Sequence, residues 1–231
     1  MIKDVSFVMD DPRLIFFDGL LWYLETRNWA FEKINTCPTG SRGLDIKMYH
    51  YLYFSNLFGA VDLVRDHISD IGEKADLEES IKQSFGKADD YLYARELRNA
   101  IVHRGLDPAA AAHADNNLLF ILCPVNVQDR GGKKNYSCTF KYTVQLAECC
   151  NRLVNTAIFE FVDSHGFLEP GKFTFTKEDT LEAVKTTTAM PDWAKAMAAV
   201  AFEQLDFTAM ALKIAETRVR HLKELLGQSC S

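Results

Sequence analysis

The sequence lacks the features that identify membrane, secreted and metal-binding proteins. Its 231 residues contain no apolar run of about eighteen residues, so no membrane-spanning helix is predicted. The opening residues include an early acid and no long apolar region, which is not typical of a signal peptide. No Cys-x-x-Cys occurs, and no cysteine or histidine spacing fits zinc. We therefore expect a cytoplasmic protein without a bound metal, whose cysteines are reduced thiols. These cysteines are Cys37, Cys123, Cys138, Cys149, Cys150 and Cys230.

Positive charge is also scarce. There are 26 Lys and Arg residues against 32 Asp and Glu residues, which gives a net charge of −6. This balance argues against avid, indiscriminate binding of nucleic acid, because such binding depends on neutralising many phosphates. A small positive site inside an acidic molecule remains possible. No glycine-rich phosphate loop, Gly-x-Ser-x-Gly elbow or His-Glu-x-x-His motif is present, and no cofactor is predicted.

The periodicity of apolar residues predicts an all-α protein, a helical bundle with one small inserted β-hairpin. Helices are expected from Asp11-Pro12 to about residue 35, from 44 to 71, around 77–85, from 87 to 104 and from 144 to 164. The second is apolar nearly all round, as in the centre of a bundle. The hairpin is predicted at about 118–143, with its turn at 129–135. A C-terminal helical extension is expected at about 176–227, within a single domain spanning 1–231.

The most informative stretch runs from Tyr91 to Gly105. Leu97, Ala100 and Ile101 recur at helical spacing, with two further apolar residues behind them, and predict one buried stripe. Gly105 stands where a helix ends in the left-handed conformation, and the proline three residues later prevents an immediate restart.

A second face of this helix is too apolar for a solvated surface. Arg98 and His103 lie about 140° apart on the helical wheel, on the two flanks of the face opposite the stripe. Between them lie Tyr91, Leu92 and Val102, together with Asn99. We predict that Tyr91, Leu92 and Val102 form the contact between two copies of this chain in a homodimer.

The residues Arg98-Asn99-Ala100-Ile101-Val102-His103 resemble the signature of the HEPN superfamily, an Arg, four to six residues and a His at a helix end. Many members are metal-independent endoribonucleases that act as toxins, in phage defence or in RNA processing, with Arg and His from two protomers in one cleft. The resemblance implies a HEPN-type bundle in which Arg98 and His103 are catalytic and Asn99 orients them or the substrate. Gly105 stands where members paired with a nucleotidyltransferase often have a tyrosine. No nucleotidyltransferase signature is present, so an antitoxin or regulatory protein would be a separate chain.

The two side chains suit RNA cleavage on chemical grounds as well. An imidazole can take a proton from a ribose 2′-hydroxyl or give one to a leaving 5′-oxygen. A guanidinium binds phosphate with paired donors and stabilises the charge that develops on it. The expected products are a 2′,3′-cyclic phosphate and a 5′-hydroxyl. One His cannot easily act on both sides of a phosphorus, so two copies are expected to share the site. Glu96 lies on the His103 side of the helix and is predicted to orient the imidazole.

Two alternatives stay open. His103 can instead simply complement the helix dipole, as cations near a C-terminus do, while Arg98 pairs with a surface carboxylate. The domain can also be a non-catalytic dimerisation, nucleotide-binding or RNA-binding module, which the acidic net charge favours. In the predicted turn, Arg130, Lys133 and Lys134 either bind the RNA backbone or are solvated charges that protect a strand edge.

Overall fold

The protein is mostly helical. A computed structural model describes residues 12–70, 77–85, 88–173, 176–188, 190–204 and 206–228. Eight α-helices lie within these ranges, which confirms a mostly helical, all-α protein; the HEPN type of the bundle stays a prediction. They are α1 (Pro12–Asn35), α2 (Gly43–Asp70), α3 (Leu77–Ser84), α4 (Ala88–His103), α5 (Thr143–Ser164), α6 (Lys177–Thr186), α7 (Asp192–Gln204) and α8 (Phe207–Leu225). Asp11 and Cys230 lie outside the described residues, and the five described cysteines are free thiols.

Helix α2 lies at the centre of the fold, as its all-round apolar character predicts. It packs along α1 and against α4, and most apolar side chains of its middle are buried. The approach to α1 is close at Gly59, where an added Cβ would lie 2.5 Å from a ring carbon of Tyr23. Only glycine leaves room for that ring. The fully buried side chains of this segment are Tyr53, Phe54, Leu57, Phe58 and Val61.

The β-structure differs from the single predicted hairpin. The described residues contain two separate two-stranded antiparallel sheets. Their strands are β1 (Ala112–Asp115) with β2 (Leu118–Ile121), and β3 (Val127–Gln128) with β4 (Asn135–Tyr136). The predicted strand at 118–127 is therefore two strands. The first, β2, pairs with β1, which precedes it in the chain, and the second, β3, pairs with β4 across the predicted turn. Main-chain contact between Cys123 and Lys141, at 2.9 Å, continues the second pairing toward α5.

The C-terminal extension at about 176–227 is helical as predicted, and it consists of α6, α7 and α8. Asp206 separates α7 from α8 and caps α8, with its carboxylate accepting a hydrogen bond from the main-chain N–H of Ala209 at 3.1 Å. Helix α8 packs on α1, where Arg218 pairs with Asp18 at 3.1 Å. None of the helices in the described part of the chain combines the length and apolar character that crossing a lipid bilayer requires.

A buried histidine joins α2 to the start of α5. His50 is 1% exposed, and its Nδ1 donates to the main-chain oxygen of Ile46 at 2.8 Å. Its Nε2 lies 2.9 Å from the hydroxyl of Thr143, which can donate to a neutral ring. Burial lowers the pKa of His50 to about 4, because a charged imidazole would lose its hydration there.

We expect this histidine to make the fold sensitive to mild acid. In the unfolded chain the imidazole takes up a proton near pH 6.5, whereas the buried ring does so only near pH 4. Between these values the unfolded state binds more protons, so the free energy of unfolding falls as the pH falls, by about 1.4 kcal/mol per pH unit. Urea unfolding from pH 7 to pH 4.5 should show a shallower pH dependence for His50→Gln than for the wild type. An exposed-histidine variant, His103→Gln, should keep the wild-type slope, and equal slopes for all three proteins would contradict the assignment.

Candidate functional site

The end of α4 has the geometry that its sequence predicts. Gly105 has a φ of +70°, the left-handed conformation that glycine adopts without strain. The main-chain N–H of Leu106 reaches back to the carbonyl of Ala100 at 3.0 Å, which closes the last helical turn. His103 is consequently the last helical residue, and its side chain is exposed.

Most of the predicted stripe of α4 is buried, although Ile101 is partly exposed, and the buried face also includes a residue outside the stripe. Tyr93, Ala94 and Leu97 are fully buried, and Ala100 is nearly so. Tyr91 is also fully buried, although it was predicted to face a second chain. That prediction was wrong for Tyr91. Its ring packs against two phenylalanines of the same chain, Phe58 of α2 and Phe85 after α3, with ring centroids at 5.9 and 5.6 Å.

The other two predicted interface residues remain accessible. Leu92 and Val102 are partly exposed on α4, so both can contact a second copy. The helix thus buries its first turns on two sides within one chain, because α2 and the short α3 both pack against it there. Leu92 near the start of α4 and Val102 near its end are the predicted interface residues that leave apolar surface for a partner.

Arg98 is engaged in an ion pair with α2. Its guanidinium lies 3.4 Å from a carboxylate oxygen of Asp62 and donates to the side-chain oxygen of Asn99 at 3.0 Å. Asp62 also accepts from Arg65 at 2.9 Å and lies near Arg95. For Arg98, then, the alternative interpretation from the sequence, a pair with a carboxylate, describes the structure. The catalytic role of Arg98 remains a prediction.

Asn99 begins a second set of polar contacts on the opposite side of Arg98. Its amide donates to Glu96 at 3.1 Å, and the other carboxylate oxygen of Glu96 accepts from Arg104 at 3.3 Å. Glu96 was predicted to orient the imidazole of His103, but both its oxygens are occupied by other partners. The correction has a simple cause: Arg104, just beyond the helix, folds back over Glu96.

Arg104 also fixes the position of the second hairpin. Its guanidinium donates to the main-chain oxygen of Gln128 in β3 at 2.6 Å, in addition to its contacts with Glu96. This bond places the residues that follow β3 beside the end of α4. The pairing explains how a turn 25 residues beyond His103 in the chain reaches the same surface.

A cavity of about 420 Å³ opens at this junction. It is lined by Asn99, His103, Arg104 and Arg130. The structure therefore brings Arg130 of the predicted turn together with Asn99 and His103 of the motif. Arg98 does not line the cavity, but its guanidinium donates to Asn99, which does. Within the described part of the chain, the side chains of His103 and Arg130 form no hydrogen bond or ion pair.

The two lysines of the turn lie outside this cavity lining. The side chains of Lys133 and Lys134 are exposed, and their main-chain N–H groups donate to the carboxylate of Asp129 at 2.8 and 3.3 Å. These hydrogen bonds, with that of Lys134 first, lower the pKa of Asp129. The carboxylate therefore stays charged and holds the shape of the turn.

Three residues of this site were not identified from the sequence. Arg104 follows the histidine directly, but nothing in its spacing indicates a bond to Glu96 or to β3. Gln128 contributes only its main-chain oxygen, which leaves no signal in a sequence. Asp62 belongs to a row of aspartates on α2 that is typical of a solvated face.

The arrangement is suited to a negatively charged substrate that gives a proton to the protein, or takes one from it, during a reaction. An exposed imidazole can accept or donate a proton, and the arginine and asparagine groups beside it are hydrogen-bond donors. Comparison with family models, with curated proteins and with solved structures finds no match for this chain. The function therefore has to be argued from these residues.

Proposed function

We propose that the protein is a metal-independent endoribonuclease of HEPN type, which cleaves RNA to 2′,3′-cyclic phosphate and 5′-hydroxyl ends. The observation that carries this proposal is the exposed imidazole of His103, which has no hydrogen-bond partner among the described residues, in a cavity that it shares with Asn99 and two arginines. The motif Arg98-Asn99-x-x-x-His103 at the end of a helix supports it from the sequence.

The chemistry needs no external nucleophile. His103 takes the proton of a ribose 2′-hydroxyl, and the oxygen attacks the adjacent phosphorus. The bond from phosphorus to the 5′-oxygen then breaks, and that oxygen receives a proton. Positive groups around the phosphate stabilise the charge that develops on its free oxygens. RNA is the required substrate, because DNA lacks the 2′-hydroxyl.

A second copy of the chain completes the proton transfers in this proposal. One imidazole is on one side of the phosphorus, whereas the leaving oxygen departs on the other. A two-fold contact through Leu92 and Val102 would present the same face of α4 from both chains. Light scattering at micromolar concentration measures this directly: a monomeric protein that cleaves RNA would require a single-chain site.

Incubation of the purified protein with labelled single-stranded RNA, with and without EDTA, tests the activity. We expect cleavage to persist in EDTA, and mass spectrometry of the products to show cyclic phosphate and 5′-hydroxyl ends. Protein carrying His103→Ala, purified in parallel, controls for contaminating nucleases. Cleavage that requires added Mg²⁺, or products with 3′-hydroxyl ends, would contradict the mechanism.

The second candidate function is a non-catalytic dimerisation or nucleotide-binding module. The ion pair between Arg98 and Asp62 favours it, because a guanidinium already balanced by a carboxylate is less available to a phosphate. Such a module would bind RNA or nucleotide without changing it. If the wild-type protein binds the same labelled RNA and the RNA is recovered intact from the complex, the binding module is the correct function and the nuclease is not.

A biological role follows only if the activity is present. An enzyme that cuts essential host RNA without restraint damages its own cell, so a toxin or phage-defence role with a separate antitoxin or regulatory protein is consistent with the proposal, as is a role in RNA processing. Growth arrest on expression of the wild type, and none with His103→Ala, would support that role.

A further inference from the structure

The three arginines at this site differ in how their charge is balanced. Arg98 pairs with Asp62, and Arg104 pairs with Glu96 at 3.3 Å. Arg130 has no such carboxylate among the described residues. Its neighbour Asp129 directs one carboxylate oxygen to the main chain of the turn instead. The uncompensated positive charge in the cavity is therefore that of Arg130.

We infer that Arg130 binds a phosphate of the RNA substrate within the same chain that supplies His103. The inference rests on the proposed function and extends it. It assigns phosphate binding to Arg130, on the second hairpin, and not to the motif residue Arg98. Arg130 lines the cavity together with His103 and Asn99, and its guanidinium is exposed. Such a group offers paired donors to two oxygens of one phosphate.

The position of Arg130 is fixed from both sides of the turn. Before it, the main-chain oxygen of Gln128 is held by Arg104. After it, the main-chain N–H groups of Lys133 and Lys134 bond to Asp129, whose own N–H donates to the carbonyl of Lys134 at 3.0 Å. A guanidinium on a turn fixed in this way loses less freedom on binding than one on a loose loop.

The surface beyond Arg130 continues the positive charge. Lys133 and Lys134 lie on the same turn, exposed, and their ammonium groups have no ion pair within the described residues. A strand whose reacting phosphate lies at Arg130 and His103 would pass its neighbouring phosphates near these lysines. The positive charge of this turn allows an acidic protein to bind RNA without a basic surface elsewhere.

Binding of a fluorescein-labelled 2′-O-methyl oligoribonucleotide, measured by anisotropy over a range of salt concentrations, tests the inference. The methyl groups remove the nucleophile, so binding is measured without cleavage. Each phosphate contact contributes about 0.7 to the slope of log affinity against log salt for a single strand. Arg130→Ala should therefore lower that slope by about 0.7, and lower the affinity about fivefold at 0.1 M salt. Arg130→Lys, which keeps the charge, should keep the slope.

The matched control is Arg220→Ala. Arg220 is an exposed arginine of α8, a helix that packs on α1, and its loss should change neither affinity nor slope. The inference is overturned if Arg130→Ala binds like the wild type, if Arg220→Ala loses as much, or if the wild type does not bind the oligonucleotide. If the wild type cleaves RNA and Arg130→Ala binds the oligonucleotide as tightly as the wild type, the inference about Arg130 is refuted but the proposed nuclease activity stands. If Arg130→Ala loses binding but the wild type does not cleave RNA, the proposed nuclease activity is refuted but the phosphate-binding role of Arg130 stands.

Discussion

The His103→Ala protein is expected to lose RNA cleavage by roughly 10²- to 10⁴-fold, the contribution of a positioned proton-transfer group. Its thermal stability should stay close to that of the wild type. His103 is exposed and has no partner among the described residues, so the substitution removes no contact that stabilises the fold. Surface substitutions of this kind change the free energy of unfolding by about 0.5 kcal/mol or less.

The control for this prediction is His113→Ala. His113 is an exposed histidine of β1 that stacks on Tyr142, away from the cavity lining. The His113→Ala protein should cleave RNA as fast as the wild type under the same conditions. Full activity in the His103 variant would remove the imidazole from the mechanism. A large loss of stability would show instead that His103 supports the structure, for example by complementing the dipole of α4.

The largest expected effect on stability is at Arg27, a charged residue that is 0% exposed. Its guanidinium donates to the side-chain oxygen of Asn155 at 2.7 Å and to that of Asn28 at 2.7 and 3.1 Å. These partners are neutral amides, and no carboxylate among the described residues pairs with the buried charge. Burial accordingly lowers the pKa of Arg27 to about 10.

Arg27→Ala should destabilise the protein by about 3–5 kcal/mol. The change leaves two partly buried amide oxygens without these donors and opens a cavity where the long, fully buried side chain lay. Arg27→Met fills most of that volume and removes the cost of burying a charge, so it should lose at least about 1 kcal/mol less. Urea unfolding of both variants, with Arg220→Ala as the exposed-arginine control, measures the difference. Equal losses for Ala and Met would show that the hydrogen bonds, and not the volume, determine the stability.

The helices could be predicted from the sequence because their signals are local. Each signal lies within a few residues of the element that it predicts. Examples are the apolar spacing within α2, Pro12 at the start of α1 and Gly105 after α4. The pairing of β1 with β2 was missed, although a local signal existed. Asn116 and Asn117 both have positive φ, 47° and 63°, as a two-residue hairpin turn requires. Asparagine adopts that conformation more readily than most residues, so the pair Asn-Asn was the available indication.

The site was only partly predictable, because its key contacts join distant parts of the chain. The motif residues were recognisable from spacing along one helix. The carboxylate that pairs with Arg98 is 36 residues earlier, and the carbonyl that binds Arg104 is 24 residues later. Tyr91 shows the same limit: a helical wheel gives its direction, but not that Phe58 and Phe85 fill the space there.

The bond between Arg104 and the main-chain oxygen of Gln128 has a consequence for how this protein can diversify. Every residue type offers the same carbonyl, so the bond does not depend on which side chain stands at position 128. The exposed side chains at 130, 133 and 134 can therefore be exchanged while Asp129 keeps the shape of the turn and Arg104 keeps its position. Under the proposed function, chains that differ only at 130, 133 and 134 would prefer different RNAs while keeping the same imidazole at His103. Grafting turns of different charge between them would transfer that preference without a new fold.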